Sequence, residues 1–112
     1  MEIVITKKAK NDLYDFFYNA KGNTSNNVLK YISEVIEYIK IIEQSPQIGK
    51  IIYLNKNCVS RQLVYKKHKI LYMVYNNKIF ILRIIHSSRK FNIKINLNLK
   101  NFPELKNKFD PK

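Results

Sequence analysis

The apolar residues of this chain change their spacing once, and that change divides it into a helical half and a sheet half. Before residue 46 they recur every three to four positions. Ala9, Leu13, Phe16, Phe17 and Ala20 form one stripe. Val28, Leu29, Ile32, Val35, Ile36, Ile39 and Ile42 form a longer one, with Glu34, Glu37 and Lys40 on the opposite face. Such spacing predicts amphipathic helices that each bury one side. From Cys58 onward the spacing falls to about two. The runs 58–65, 70–75 and 78–85 are dense in β-branched and aromatic residues, which predicts half-buried strands.

Local signals set the boundaries. Residues 2–5 (EIVI) predict a short first strand. Thr6 suits the cap of a helix that starts at Lys7, and Gly22 suits its end. The polar segment 23–27 predicts a turn, with Asn26 or Asn27 capping the second helix. Ser45-Pro46 stops that helix, because the residue before proline avoids helical geometry. A short link between two helices predicts an antiparallel hairpin. Residues 46–57, with Gly49, read as a loop.

In the second half, Asn76-Asn77 predicts a two-residue hairpin turn, since Asn tolerates positive φ. Lys66-Lys67-His68 links the first two runs. The hairpin turn places Tyr72 opposite Ile81 and Ile70 opposite Arg83. The expected fold is α+β, in the order β-α-α-β-β-β, with the helix hairpin packed on a small antiparallel sheet. Residues 1–91 form the expected domain. The extension 92–112 holds an alternating stretch at 92–99 that predicts an edge strand, and a mobile end over its last ten residues.

Charge is divided along the same line. Residues 1–43 carry six lysines and six carboxylates, whereas residues 44–103 carry twelve Lys or Arg and no carboxylate. Most of the net charge of +13 therefore belongs to the sheet half. A one-signed stretch of that length cannot neutralise itself locally and attracts polyanions or an acidic protein.

Several classes of function are excluded or disfavoured. With two glycines and neither a GxGxxG nor a GxxxxGK[ST] motif, there is no glycine-rich phosphate loop. One cysteine, Cys58, permits neither an internal disulfide nor a cysteine zinc site. The cation-rich half offers no Asp or Glu for hydrolytic metal chemistry, so neither metal nor cofactor is expected. No long apolar run predicts a membrane span or a signal peptide, and the expected location is the cytoplasm.

The candidate site residues are cations and histidines near strand ends. Arg83 interrupts an apolar strand, so it must reach the open face, meet a partner or snorkel at the strand end. Arg61, Lys66, Lys67, His68 and Lys69 lie on or between the first two runs. His86, Ser87, Ser88, Arg89 and Lys90 follow the last. The expected patch lies on the sheet face turned away from the helices and binds phosphate or carboxylate. Its only general-base candidates are His68 and His86.

These segments resemble a known family. Residues 9–16 (AKNDLYDF) are similar to the opening AKxDLxxI segment of ParE-type toxins, and residues 45–49 (SPQIG) to their PxxG loop. Residues 60–63 (SRQL), 69–72 (KILY) and 81–89 (ILRIIHSSR) resemble the later basic segments, in the same order. The resemblance covers roughly residues 3–91 and marks the chain as similar to the RelE/ParE superfamily of type II toxin–antitoxin modules. It implies a growth-inhibiting toxin neutralised by a cognate antitoxin in a hetero-oligomer, with no membrane partner.

The two branches act on different targets. The ParE branch poisons DNA gyrase, and the RelE branch cleaves mRNA on the ribosome. Ser60 and Gln62 stand where RelE-type nucleases carry lysines, and Phe91 is not the proton-exchanging Tyr of their tails. His86-Ser87-Ser88-Arg89 is more ParE-like, so the expected target is gyrase, with Arg61, Lys69, Arg83, His86 and Arg89 at the site. Lys66, Lys67, His68 and Lys90 support it. The alternatives are a metal-independent endoribonuclease and a plain basic nucleic-acid-binding module.

Overall fold

Thr6 stands where the first strand turns into the first helix. Its hydroxyl accepts the Ala9 N–H at 3.3 Å and donates to the Ile81 carbonyl at 2.7 Å. One buried side chain thus caps a helix and ties it to a strand 75 residues away. The structure, a computed structural model, describes residues 1–19, 25–54, 59–90 and 105. Its elements are β1 (Glu2–Ile5), α1 (Lys7–Tyr18), α2 (Ser25–Gln44), β2 (Lys50–Leu54), β3 (Val59–Tyr65), β4 (His68–Tyr75) and β5 (Lys78–His86).

The fold is α+β, as expected, around one five-stranded sheet in the order β1-β5-β4-β3-β2. The predicted meander is β3, β4 and β5, antiparallel throughout. β1 adds to it in parallel beside β5, and β2 adds antiparallel beside β3. Asn76 and Asn77 both take positive φ, 51° and 61°, as the predicted tight turn requires.

Four local expectations are corrected. α1 ends at Tyr18 with Asn19 as its C-cap, short of the expected stop at Gly22. Residues 50–54 are an edge strand rather than loop; the run KIIYL is short, and only pairing with β3 makes it a strand. The second helix already begins at Ser25, so Asn26 and Asn27 lie inside it. The register expectation holds for Tyr72 and Ile81 but not for Ile70, which faces Ile84, while Leu71 faces Arg83. A bulge between Leu71 and Tyr72 in this pairing shifts the partners by one, a device that turn residues alone do not signal. Gly22, Cys58, the stretch 92–99 and the terminal residues other than Leu105 lie outside the described residues.

Both faces of the sheet are apolar. On the helix side Ile70, Tyr72, Ile79, Ile81 and Ile84 pack with Ala9, Val35, Ile39 and Ile42. On the other side Leu71, Met73, Phe80, Leu82 and Ile85 are buried together with Leu105. The expectation of a charged face opposite the helices is therefore wrong. Strands β4 and β5 are central and apolar at nearly every position, the pattern of strands buried on both faces rather than on one.

The turn after α2 is held from within the core. The Tyr72 hydroxyl accepts the Gly49 N–H at 2.9 Å and donates to the Pro46 carbonyl at 2.8 Å. A Cβ on Gly49 would sit 2.8 Å from the Gln62 carbonyl oxygen and from the Tyr72 ring. The glycine is needed for close approach, not for an unusual φ.

Candidate functional site

β3 ends, β4 begins and β5 ends at the same end of the sheet, because Tyr65 faces His68 and His68 faces His86. The turn at Lys66-Lys67 and the segment after His86 therefore meet. The Ser87 N–H donates to the Lys67 carbonyl at 2.6 Å, and the Lys69 ammonium donates to the Arg89 carbonyl at 3.0 Å. Lys66, Lys67, His68, Lys69, His86 and Arg89 are thereby gathered on one end, and exposed Lys90 follows directly. Glu34 is bound to Lys66 at 3.1 Å and Asp12 to Arg83.

The two histidines differ. His86 is exposed, and its Nδ1 accepts the Ser88 N–H at 3.1 Å. The neutral ring then carries its proton on Nε2. His68 is 7% exposed and enclosed by aromatic rings. Its Nδ1 lies 2.8 Å from the Tyr31 hydroxyl, and the Phe16 ring meets it edge-on at 4.9 Å. Burial lowers the His68 pKa and the nearby His86 lowers it further; Asp12 pulls the other way, and Lys67 adds the smallest lowering effect. Burial likewise raises the Tyr31 hydroxyl. The Lys66 ammonium and the Tyr65 hydroxyl hold Glu34 below its usual range, and Glu34 in turn raises Lys66.

Arg83 belongs to the same end but turns toward the helices. Its guanidinium grips Asp12 with two hydrogen bonds, Nε to Oδ2 at 2.7 Å and Nη2 to Oδ1 at 2.9 Å. Asp12 Oδ2 also accepts the Ile84 N–H at 2.9 Å. β1 pairs with β5 only as far as Ile81. Beyond that point Thr6 and Asp12 supply hydrogen bonds to the β5 edge.

Arg61 is not part of this gathering. It lies opposite Tyr72, toward the other end of the sheet, and donates to the carbonyls of Gln47 at 3.2 Å and Gly49 at 2.8 Å. Its position is explained by the turn after α2, which it braces. Tyr31 is one of the tyrosines that the sequence offers for stacking on bases, with Tyr38, Tyr53, Tyr65, Tyr72 and Tyr75, but nothing in the sequence marks Phe16 or Asp12 for this end. Asp12 was visible as the acid inside the AKNDL segment, but nothing local marked Arg83 as its partner.

This end can bind anions through lysine and arginine side chains and can donate a hydrogen bond from His86 Nε2. No group of three or more His, Cys, Asp or Glu side chains lies together among the described residues. No described helix is long and apolar enough to cross a membrane.

Comparisons with known proteins agree with this architecture. A search of curated proteins returns no match. Among solved structures, a chain of the chromosomal ParDE TA system from P. aeruginosa superposes with a TM-score of 0.66 at 22% identity. The match covers 77% of this chain and 95% of that one, and it shows the fold. The family model for the ParE toxin of the type II toxin–antitoxin system parDE matches residues 3–91. That span runs from β1 past Arg89 and takes in the Asp12–Arg83 pair, the Pro46–Gly49 turn and the cationic strand ends, so the chain belongs to the ParE toxin family of type II toxin–antitoxin systems.

Proposed function

We propose that the chain is a growth-inhibiting toxin that acts on DNA gyrase and is neutralised by a cognate antitoxin in a hetero-oligomer. The observation that carries this reading is the ParE family match over residues 3–91. The cationic end built from Lys66, Lys67, Lys69, His86, Arg89 and Lys90 fits contact with an acidic protein or with a DNA-loaded enzyme. Asp12 and Glu34 are engaged by Arg83 and Lys66, which leaves Lys67, Arg89 and Lys90 available to an anionic partner in this reading. In this reading Arg61 and Arg83 act by holding the fold, and the target is met by the exposed cations and His86.

Expression of the chain without its antitoxin tests the reading. Growth arrest with filamentation and DNA-damage induction, together with loss of supercoiling by purified gyrase, is the expected result. Arrest with rapid mRNA cleavage within codons would replace gyrase by a ribosomal target. Unimpaired growth together with salt-sensitive binding to any nucleic acid would reduce the chain to a basic binding module.

A further inference from the structure

Beside the cationic end lies a cavity of about 330 Å³, lined by Phe16, Asn27, Val28, Tyr31, Lys66 and Lys67. Three elements that are distant in sequence form it: α1, the start of α2 and the β3–β4 turn. Its volume falls at the lower end of small-ligand pockets, which run from roughly 300 to 1,000 Å³. Its floor is aromatic, with the Phe16 and Tyr31 ring centroids 5.4 Å apart. Behind them Tyr31 is anchored to His68, so the floor is held in place.

The rim is cationic, but its two lysines are not equivalent. Lys66 is engaged by Glu34. No partner holds the Lys67 ammonium among the described residues, while the Lys67 carbonyl is pinned by the Ser87 N–H. The first turn of α2 lies on the same rim and carries no acidic residue, so its dipole adds to the positive potential.

We propose that this cavity receives one unpaired nucleotide of a nucleic-acid strand. The base lies against Phe16 and Tyr31, and its phosphate lies at Lys67. An aromatic floor with an adjacent cation is the arrangement by which single strands are held without sequence reading. A run of peptide carboxylates fits less well, because Glu34 sits on the Lys66 side of the rim. A single phosphate centred on Lys67 avoids it. The proposal concerns binding in isolation and is independent of whether gyrase is the target.

The test is an NMR titration of the full chain with a short single-stranded oligodeoxyadenylate, an abasic strand of equal length, inorganic phosphate and a polyglutamate peptide. The expected result is saturable movement of the Asn27, Val28 and Lys67 amides with the oligonucleotide. The abasic strand should bind roughly tenfold more weakly, since it lacks the stacking contribution. Lys67→Ala should lower the slope of log affinity against log salt by about 0.7, the loss of one phosphate contact. Phe16→Leu should narrow the gap between the two strands. The comparison of strands needs no variant and stands even if Phe16→Leu fails to fold. Equal affinity for the abasic strand, movement no greater than with phosphate alone, or displacement by polyglutamate at matched charge would overturn the assignment.

Discussion

Asp12 and Arg83 meet across 71 positions of sequence in a two-pronged ion pair whose side chains are only 11% and 16% exposed. The same carboxylate accepts a backbone N–H from β5. Removing one member of a buried pair leaves the other charge desolvated and unpaired, which costs about 3–5 kcal/mol. Asp12→Ala is therefore expected to lower the urea midpoint strongly, and Arg83→Ala nearly as much. The double variant should lose less than the sum of the two. Additive losses in the unfolding curves would show that the two side chains do not act as a pair.

The turn after α2 makes a second stability prediction. Gly49→Ala forces a methyl group into contact with the Gln62 carbonyl and the Tyr72 ring. Overpacking of this kind costs about 1–3 kcal/mol. Tyr72→Phe leaves the Gly49 N–H and the Pro46 carbonyl without their partner, at a cost of about 1–3 kcal/mol. Thermal unfolding of the two variants checks both. An unchanged midpoint for Gly49→Ala would mean that this turn can move away from the sheet.

Stability should depend on pH through His68. Its folded pKa lies below its ordinary value of 6.5, so near and below that value the unfolded chain binds the proton more readily. The stabilising contribution is present above pH 6.5 and is lost as pH falls through the lower, folded value. Melting temperature should therefore drop on acidification from neutrality. His68→Gln should flatten that part of the curve. If the variant and the parent show the same slope, His68 is not the group responsible.

Leu105 lies beyond the span matched by the family model, yet it is fully buried with Leu71, Met73, Phe80, Leu82 and Ile85. Truncating a buried leucine to alanine costs about 2–5 kcal/mol. Leu105→Ala is expected to destabilise by that amount, and Leu105→Asp to prevent folding. A loss below about 0.5 kcal/mol, the range of ordinary surface substitutions, would place the side chain in solvent.

The cations divide into two groups that toxicity assays can separate. Arg89→Glu combined with Lys69→Glu should abolish growth arrest while leaving the circular dichroism spectrum and unfolding midpoint nearly intact. Arg61→Ala and Arg83→Ala should reduce toxicity only in proportion to the loss of folded protein. Full toxicity of the Arg89 and Lys69 double variant would remove this end from target contact.

Both helices, the three central strands, the Thr6 cap and the Asn76-Asn77 turn were legible in the sequence, because each rests on interactions within a few residues. Apolar spacing reports which side of an element is buried, and turn chemistry reports where the chain reverses. The β2 strand was not legible, since an edge strand of five residues takes its identity from its neighbour. The carboxylate-free stretch showed that the sheet half is cationic but could not say which cations would be exposed.

That division was settled by contacts between residues far apart in the chain. The sequence leaves Arg83 a choice between the open face and a partner until α1 brings Asp12 to it, and Arg61 reads as a site cation until the turn after α2 brings the Gln47 and Gly49 carbonyls to it. Composition and periodicity determined the fold class and the sign of the charge that the sheet half carries, because those depend on local spacing and on sums over the chain. Tertiary structure alone decided which cations are spent inside the molecule and which remain exposed, because ion pairing depends on distance in space and not on separation in sequence.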